Sequence, residues 1–339
     1  NKYIFYTAVY INCKQAIINT IVTIKSMRGH YMNIIGHHHI SMYTKDAQIN
    51  KDFYTQILGL RLVEKSVNQD NPKMYHLFFG DEIGSAGTLL SFFEIPNLGK
   101  NRPGTNSIHR IGLLVPDKSS LTYFQSRLEA NNVNTTTMTY LNQQALLFKD
   151  PDDLEIILVA NNQYNLPKSW RKNPYSTIPT EHQILGMGPV ELRLRDTQKT
   201  VDFLQNELRY TPKQNIDETV MTLDENGLYS DFVIVEQQGQ CARPGQGYVH
   251  HIAVNTPKES NLETILATVN HNPGNNSGII DRYFFKSLYY RHNSIMYEFA
   301  TESPGFTVDT AIENLGKQLN LPDFMENQRT QIESQLHDL

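Results

Sequence analysis

Apolar residues recur with period two in short runs along this chain, and several of these runs are followed by a segment whose apolar period is near 3.6. The first run, His38-His39-Ile40-Ser41-Met42, alternates as a strand does. Asp46 to Leu58 then predicts an amphipathic helix, with Phe53, Tyr54, Ile57 and Leu58 on one face. Further strands are predicted around 60–67, 74–79 and 88–93. The same order returns three times. Unit two opens at His109-Arg110-Ile111-Gly112-Leu113, has a helix near 119–131, and closes on Leu154–Val159 after the turn Asp150-Pro151-Asp152-Asp153. Unit three opens at Val190-Glu191-Leu192-Arg193-Leu194, and its Phe203-Leu204 and Glu207-Leu208 echo the helix of unit one. Unit four opens at His250-His251-Ile252 and ends at Glu298.

The segments between these units set the domain boundaries. Residues 1–31 lack a continuous apolar h-region and stand before Met32, so they read as an extension outside the fold, with a weak membrane anchor as the lesser reading. An N-terminal domain then spans 32–160, and a connector with Pro167, Pro174, Pro179 and the only Trp, Trp170, spans 161–184. A C-terminal domain covers 185–302. The tail, 303–339, has helical patterning at 315–319 and 324–336 and is expected to pack across the two halves.

Composition narrows the function classes. A net charge of −5 gives no basic footprint, so nucleic acid is not an expected partner. Beyond residue 31 no segment approaches transmembrane length, so no membrane is expected either. Two cysteines, Cys13 and Cys241, suggest no disulfide framework and fit a reducing, cytoplasmic compartment. Twelve histidines exceed what packing needs, and several cluster.

The doubled histidine is where chemistry enters. His39 and His251 occupy the same register of equivalent strands, and Glu298 follows 47 residues after His251 in the strand-like run Ile295–Ala300. Two histidines and one carboxylate with open positions form the ligand set of non-heme Fe(II) oxygenases, and the same set suits Mn(II). A single His on a strand is most often a satisfied polar residue, but two copies in one register with a terminal carboxylate favour a metal site. The rival pair His109 and Glu155 fails on register, because Arg110 takes the slot of His251 and His109 falls on the opposite face. Glu191 occupies that slot in unit three and is expected to pair with Arg193. The site therefore requires units one and four to share a barrel. His37, unrepeated in unit four, reads as a surface or supporting residue. Glu94 stays open between a fourth ligand and an edge position. Strand alternation sends His38 and His250 away from their ligand neighbours, unless the strands twist or bulge.

These residues carry a resemblance. The stretches Gly36–Ile40, Tyr75–Asp81, Gly87–Phe93, Ser107–Ile111, Val249–Ala253 and Asp281–Arg291 resemble the vicinal oxygen chelate superfamily, and within it the hydroquinone ring-cleaving dioxygenases, from Met32 to the C-terminus. The match departs at His292-Asn293-Ser294, one residue shorter than the family's Pro-Gly turn. The resemblance implies an α+β fold of four βαβββ units paired into two open barrel modules. It also implies a metal held by His39, His251 and Glu298, and places His38 and His250 near the site, with His250 preferred as the proton carrier. Arg282 and Tyr289 are implied to bind substrate or oxygen, and Ser41 shares the face of His39. Phe92, Phe93 and Phe284 are candidate pocket walls. The expected partners are a small aromatic substrate and O2, with a homo-oligomer left open. A glyoxalase-type isomerase recruiting Glu94, or a metal-free binding module, are the alternatives.

Overall fold

The computed structural model describes residues 33–339, so the extension at 1–31 lies outside the described residues. Unit one supplies β1 (His37–Thr44), α1 (Ala47–Asp52), β2 (Arg61–Asn68), β3 (Asn71–Gly80) and β4 (Leu89–Glu94). Unit two supplies β5 (Ser107–Val115), α2 (Lys118–Ala130), β6 (Thr135–Tyr140), β7 (Gln143–Lys149) and β8 (Glu155–Ala160). Unit three supplies β9 (Gly186–Leu194), α3 (Thr197–Asp202), β10 (Thr211–Pro212), β11 (Thr219–Thr222) and β12 (Phe232–Glu236). Unit four supplies β13 (Val249–Asn255), α4 (Glu259–Val269), β14 (Asn276–Asp281), β15 (Phe285–His292) and β16 (Ile295–Pro304).

Local chemistry sets the helix starts. Asp46, Asp117 and Asp196 each accept a backbone N–H three residues on, which satisfies one of the donors that a first turn leaves open. In units one and three the helix widens into a π-helical turn, Phe53–Ile57 and Phe203–Glu207, which periodicity alone does not distinguish from an α-helix. Gly59 follows the first of these turns at φ +74°, and a Cβ there would stand 2.2 Å from Ile178.

The strands form two eight-stranded sheets, in the orders β14-β15-β16-β13-β1-β4-β3-β2 and β10-β11-β12-β9-β5-β8-β7-β6. Units one and four thus share one sheet, a curled half-barrel, and units two and three share the other. Side-chain alternation gives each strand of the first sheet two duties. Ile40, Met42, Leu77, Phe79, Leu90 and Phe92 join the main core with Phe53 and Tyr54. His39, Ser41, Tyr43, His76, Phe78 and Phe93 line the concave side. Phe92 is therefore core rather than pocket wall, tilted against Tyr54 at 4.6 Å. Tyr54 in turn donates to Asp150 Oδ2 at 3.0 Å, tying the first unit to the second.

The tail differs from expectation. The stretch 315–319 is not helical, because Gly316 sits at φ +73° against the Leu62 carbonyl and Leu319 bridges to Lys65. Pro322 precedes a 3-10 segment, Asp323–Gln328, and then α5 (Arg329–Glu333). Leu321, Met325 and Ile332 pack on Val67, while Phe306 packs on Phe78 and Phe284, so the tail covers both the first and the fourth unit. No helix among the described residues is long and apolar enough to cross a membrane.

Cutting the chain at the connector separates β1 from β13 and β5 from β9. A fragment of residues 32–160 will present two apolar edge strands and self-associate, eluting above monomer size, and will not bind a stoichiometric metal ion. A monomeric fragment with a full metal complement would contradict the sheet order.

Candidate metal centre

Strand pairing brings the three expected ligands together. In the antiparallel β1–β13 pair, Ser41 faces His251 and His39 faces Ala253, and the parallel β13–β16 pair sets Ala253 beside Glu298. Asn293 and Ser294, both at positive φ, close a two-residue turn between His292 and Ile295, so the shortened hairpin keeps Tyr289 opposite Glu298. His39 Nε2 lies 3.2 Å from His251 Nε2 and 3.1 Å from Glu298 Oε2, and the third side of the triangle is 2.8 Å. All three residues are buried, and among the described residues they are the one His/Cys/Asp/Glu group with metal-ligand spacing.

The doubled histidines act as pairs. His38 Nδ1 lies 2.9 Å from His39 Nδ1, and His250 Nδ1 lies 2.8 Å from His251 Nδ1. Alternation forbids such contacts between consecutive residues of a regular strand. The β1–β13 register shifts between His37 and His39, and again where Ser41–Met42 face His251 and Val249. His38 and His250 are thus the extra residues of two β-bulges, which turn their rings alongside the next residue's. The bulges are the exception to alternation that brings both rings beside the triad.

This bonding fixes the tautomers. His38 Nε2 donates to the Thr301 carbonyl at 3.0 Å, so His38 Nδ1 must accept, and His39 Nδ1–H donates to it. His39 Nε2 is then left with a bare lone pair. Burial, followed by the charge of His39, holds the His38 imidazole down at about 3, which keeps it neutral. Burial first, and then His251, likewise holds His250 down at about 3, so its Nδ1 can accept from His251 in the same way. Ser287 donates to Glu298 Oε1, while Oε2 meets the Nε2 atoms of His39 and His251, at 3.1 Å and 2.8 Å. Three potential ligand atoms therefore converge in a buried space, an arrangement that suits a cation.

The three donor atoms stand 2.8–3.2 Å apart, close enough for one cation to meet all three, and two histidines with one carboxylate leave further positions open on such an ion.

The remaining predicted residues are placed as follows. A cavity of about 440 Å³ opens over the triad and is lined by Ser41, Phe93, His250, Arg282, Phe284 and Tyr289 among others. Ser41 already shares its hydroxyl proton with Ser91, at 2.5 Å. Tyr289 packs edge-on to His251, ring centres 5.5 Å apart, and the Arg282 guanidinium sits 5.5 Å over the Tyr289 ring. Arg282 also pairs with Asp70 at 3.2 Å, and its carbonyl accepts from Gln69. Asp70, Gln69, Ser287 and Thr301 were not anticipated, since each contributes through a turn or backbone contact that no local motif marks.

Three expectations are corrected. Glu94 lies on an interior strand, flanked by β1 and β3, and its Oε1 accepts from Ala47 N and contacts His337 Nε2, each at 2.8 Å. It is thus neither an edge residue nor part of the triad. His37 is buried rather than at the surface, against Phe232 and the Asp231 carbonyl. His109, another bulge residue, reaches Glu155 at 3.3 Å instead of facing away. Arg110 binds both Glu155 and Glu191, and Glu191 pairs with Arg193 at 2.8 Å as expected.

Known proteins resemble the chain over most of its length. Residues 36–158 match the Glyoxalase/Bleomycin resistance protein/Dioxygenase superfamily. The chain is 38% identical to "Putative ring-cleaving dioxygenase MhqA" of Bacillus subtilis (strain 168), over 90% of this chain and 99% of that protein. It is 26% identical to "Chlorohydroquinone/hydroquinone 1,2-dioxygenase" of Sphingobium indicum, over 89% of this chain and 96% of that protein. A crystal structure titled "putative dioxygenase", also from Bacillus subtilis, superposes with a TM-score of 0.83 at 29% identity, covering 91% of this chain and 98% of that one. A glyoxalase I variant from Zea mays shares the fold at a TM-score of 0.61, 14% identity and 82% and 97% coverage.

The His38 buttress is open to test. Replacing His38 with Phe removes the acceptor of His39 Nδ1–H, and metal affinity should fall about 10- to 100-fold with the fold intact. Competitive chelator titration of wild type and variant measures this, and equal affinities would remove His38 from the site.

Proposed function

The chain belongs to the Glyoxalase/Bleomycin resistance protein/Dioxygenase superfamily, and from that premise we propose that it is an Fe(II)-dependent dioxygenase opening the ring of a hydroquinone-type aromatic with O2. The observation that carries the proposal is the convergence of His39 Nε2, His251 Nε2 and Glu298 Oε2, all buried and within 3.2 Å of one another. Fe(II) bound there supplies Lewis acidity toward a ring oxygen and a site for O2, and Mn(II) suits the same donors.

The chain's own groups then do the positioning and proton handling. Phe78, Phe93, Phe284 and Phe285 give the cavity flat apolar walls for one aromatic ring. His250 is the hydrogen-bond acceptor for the substrate hydroxyl. Its Nδ1 is engaged with His251, its ring lies against Tyr43 at 5.4 Å, and no backbone carbonyl ties it down among the described residues, in contrast to His38. Burial and the Glu298 charge push the Tyr289 hydroxyl well above its ordinary range, so at neutral pH it donates a hydrogen bond rather than carrying charge. Arg282 offers a fixed fork of donors for an oxyanion beside it. The names of the relatives support ring cleavage as the reaction class. An isomerase reading loses its support, because Glu94 is engaged with Ala47 and His337. We place the reaction in the cytoplasm, as removal of quinone-type compounds.

Protein purified without air should contain about one iron per chain and consume O2 with hydroquinones. His39→Ala, His251→Ala and Glu298→Ala should each lose iron and activity, while His109→Ala keeps both. Iron retained in His251→Ala, or no oxygen uptake with any hydroquinone, would sink the proposal. Tyr289→Phe or Arg282→Lys should keep the metal and lower kcat by roughly ten- to a thousand-fold. Metal analysis beside oxygen-electrode kinetics separates the two classes of variant.

A further inference from the structure

One imidazole in the cavity has no part in this scheme. His76 lies on β3 with Met74 and Phe78 on its pocket side, by the same alternation that sends Tyr75, Leu77 and Phe79 into the core. Its ring is sandwiched, 4.0 Å from Phe93 and 4.1 Å from Phe78. Its Nε2 is buried and has no hydrogen-bond partner among the described residues. A polar nitrogen held between two apolar rings without a partner is destabilising, and such a group in a cavity wall marks a place where a ligand atom completes the bond. Ser41 is bonded to Ser91, Arg282 to Asp70, and His250 to His251.

The position of His76 says which atom it would meet. His76 is set back from the triad by one wall residue on each side: Phe78 is 4.1 Å from its ring and 6.4 Å from that of His39, and Phe93 is 4.0 Å from its ring and 6.3 Å from that of His250. An oxygen adjacent to the metal-bound one would fall at the triad end, near His250 and Tyr289. An oxygen across the ring would fall at the His76 end. Resting on the hydroquinone reading, we infer that His76 is a specificity residue that hydrogen-bonds the ring oxygen para to the metal-bound one, selecting 1,4-diols over monophenols. Burial, ahead of the neighbouring charges, keeps this imidazole well below its usual range, so it meets that hydroxyl as a neutral partner.

Anaerobic calorimetric titration of the iron-loaded enzyme with hydroquinone and with phenol tests this directly. Wild type should bind hydroquinone about tenfold more tightly than phenol, the value of one neutral hydrogen bond in a dry site. His76→Phe keeps the aromatic sandwich and should erase that preference while leaving phenol affinity unchanged. His76→Gln should restore part of it. Equal weakening toward both ligands would reduce His76 to packing and overturn the inference, as would a preference that survives in His76→Phe. Should His76→Phe not fold, a His76→Gln preference equal to that of wild type would overturn it, and a reduced one would support it. Iron-loaded wild type that binds neither ligand would overturn the hydroquinone reading itself, and this inference with it.

Discussion

The antiparallel pairing of β1 with β13 is the contact on which the rest depends. It joins residues 212 positions apart and sets His39 and His251 with their Nε2 atoms facing one another. Each strand carries one extra residue in this pair, and both extra residues are histidines. A flat ladder would have turned His38 and His250 to the far side of the sheet, leaving the Nδ1 atoms of the ligands without these acceptors. The bulges therefore do two things together: they curl the sheet toward a barrel, and they fix which nitrogen of each ligand is bare.

The second sheet shows what the same frame does without that chemistry. Its β5–β9 pair is also bulged, at His109, and also brings polar side chains to the middle of the sheet. Arg110 occupies the slot of a ligand histidine and holds Glu155 and Glu191 together, with Arg193 completing the cluster. A guanidinium brings its own charge and five donors, so the carboxylates there are satisfied by protein alone. The triad in the first sheet has two imidazoles in place of the guanidinium, and with the carboxylate they offer three ligand atoms within 3.2 Å of one another. One residue type in one slot separates a closed ion-pair cluster from a site that calls for a cation.

Much of this was legible before any coordinates. Fourfold repetition of strand, helix and strands gave the units, and the register of His39, His251 and Arg110 gave the pairing of unit one with unit four. Period-two reasoning broke down where the period itself breaks: a bulge leaves no mark in a run such as Val249–Asn255, so His109 was assigned to the wrong face, and His38 and His250 were put near the site by resemblance rather than by alternation. Glu94 was misjudged for another reason, since its partners are a helix terminus and His337 at the far end of the chain. His76 is ordinary in sequence, one histidine in an aromatic run. It became visible only when both ring faces and its unpartnered nitrogen could be seen together.

The order of the units in the chain differs from their order in space, and this has a consequence for how the site is made. The first ligand is near the start of the fold, and the other two follow after more than two hundred residues. Contacts of such long range close late and slowly, because loop closure must be paid before the strands reward it. Until β13 arrives, β1 is paired only with β4 and leaves one apolar edge open, and covering that edge is what forms the pocket. That same closure brings the three potential ligand atoms within 3.2 Å of one another. A cation that binds only the closed form adds its own binding free energy to the fold. The β1–β13 seam is therefore where metal binding and folding stability are coupled, and the bulged histidines sit on both sides of it.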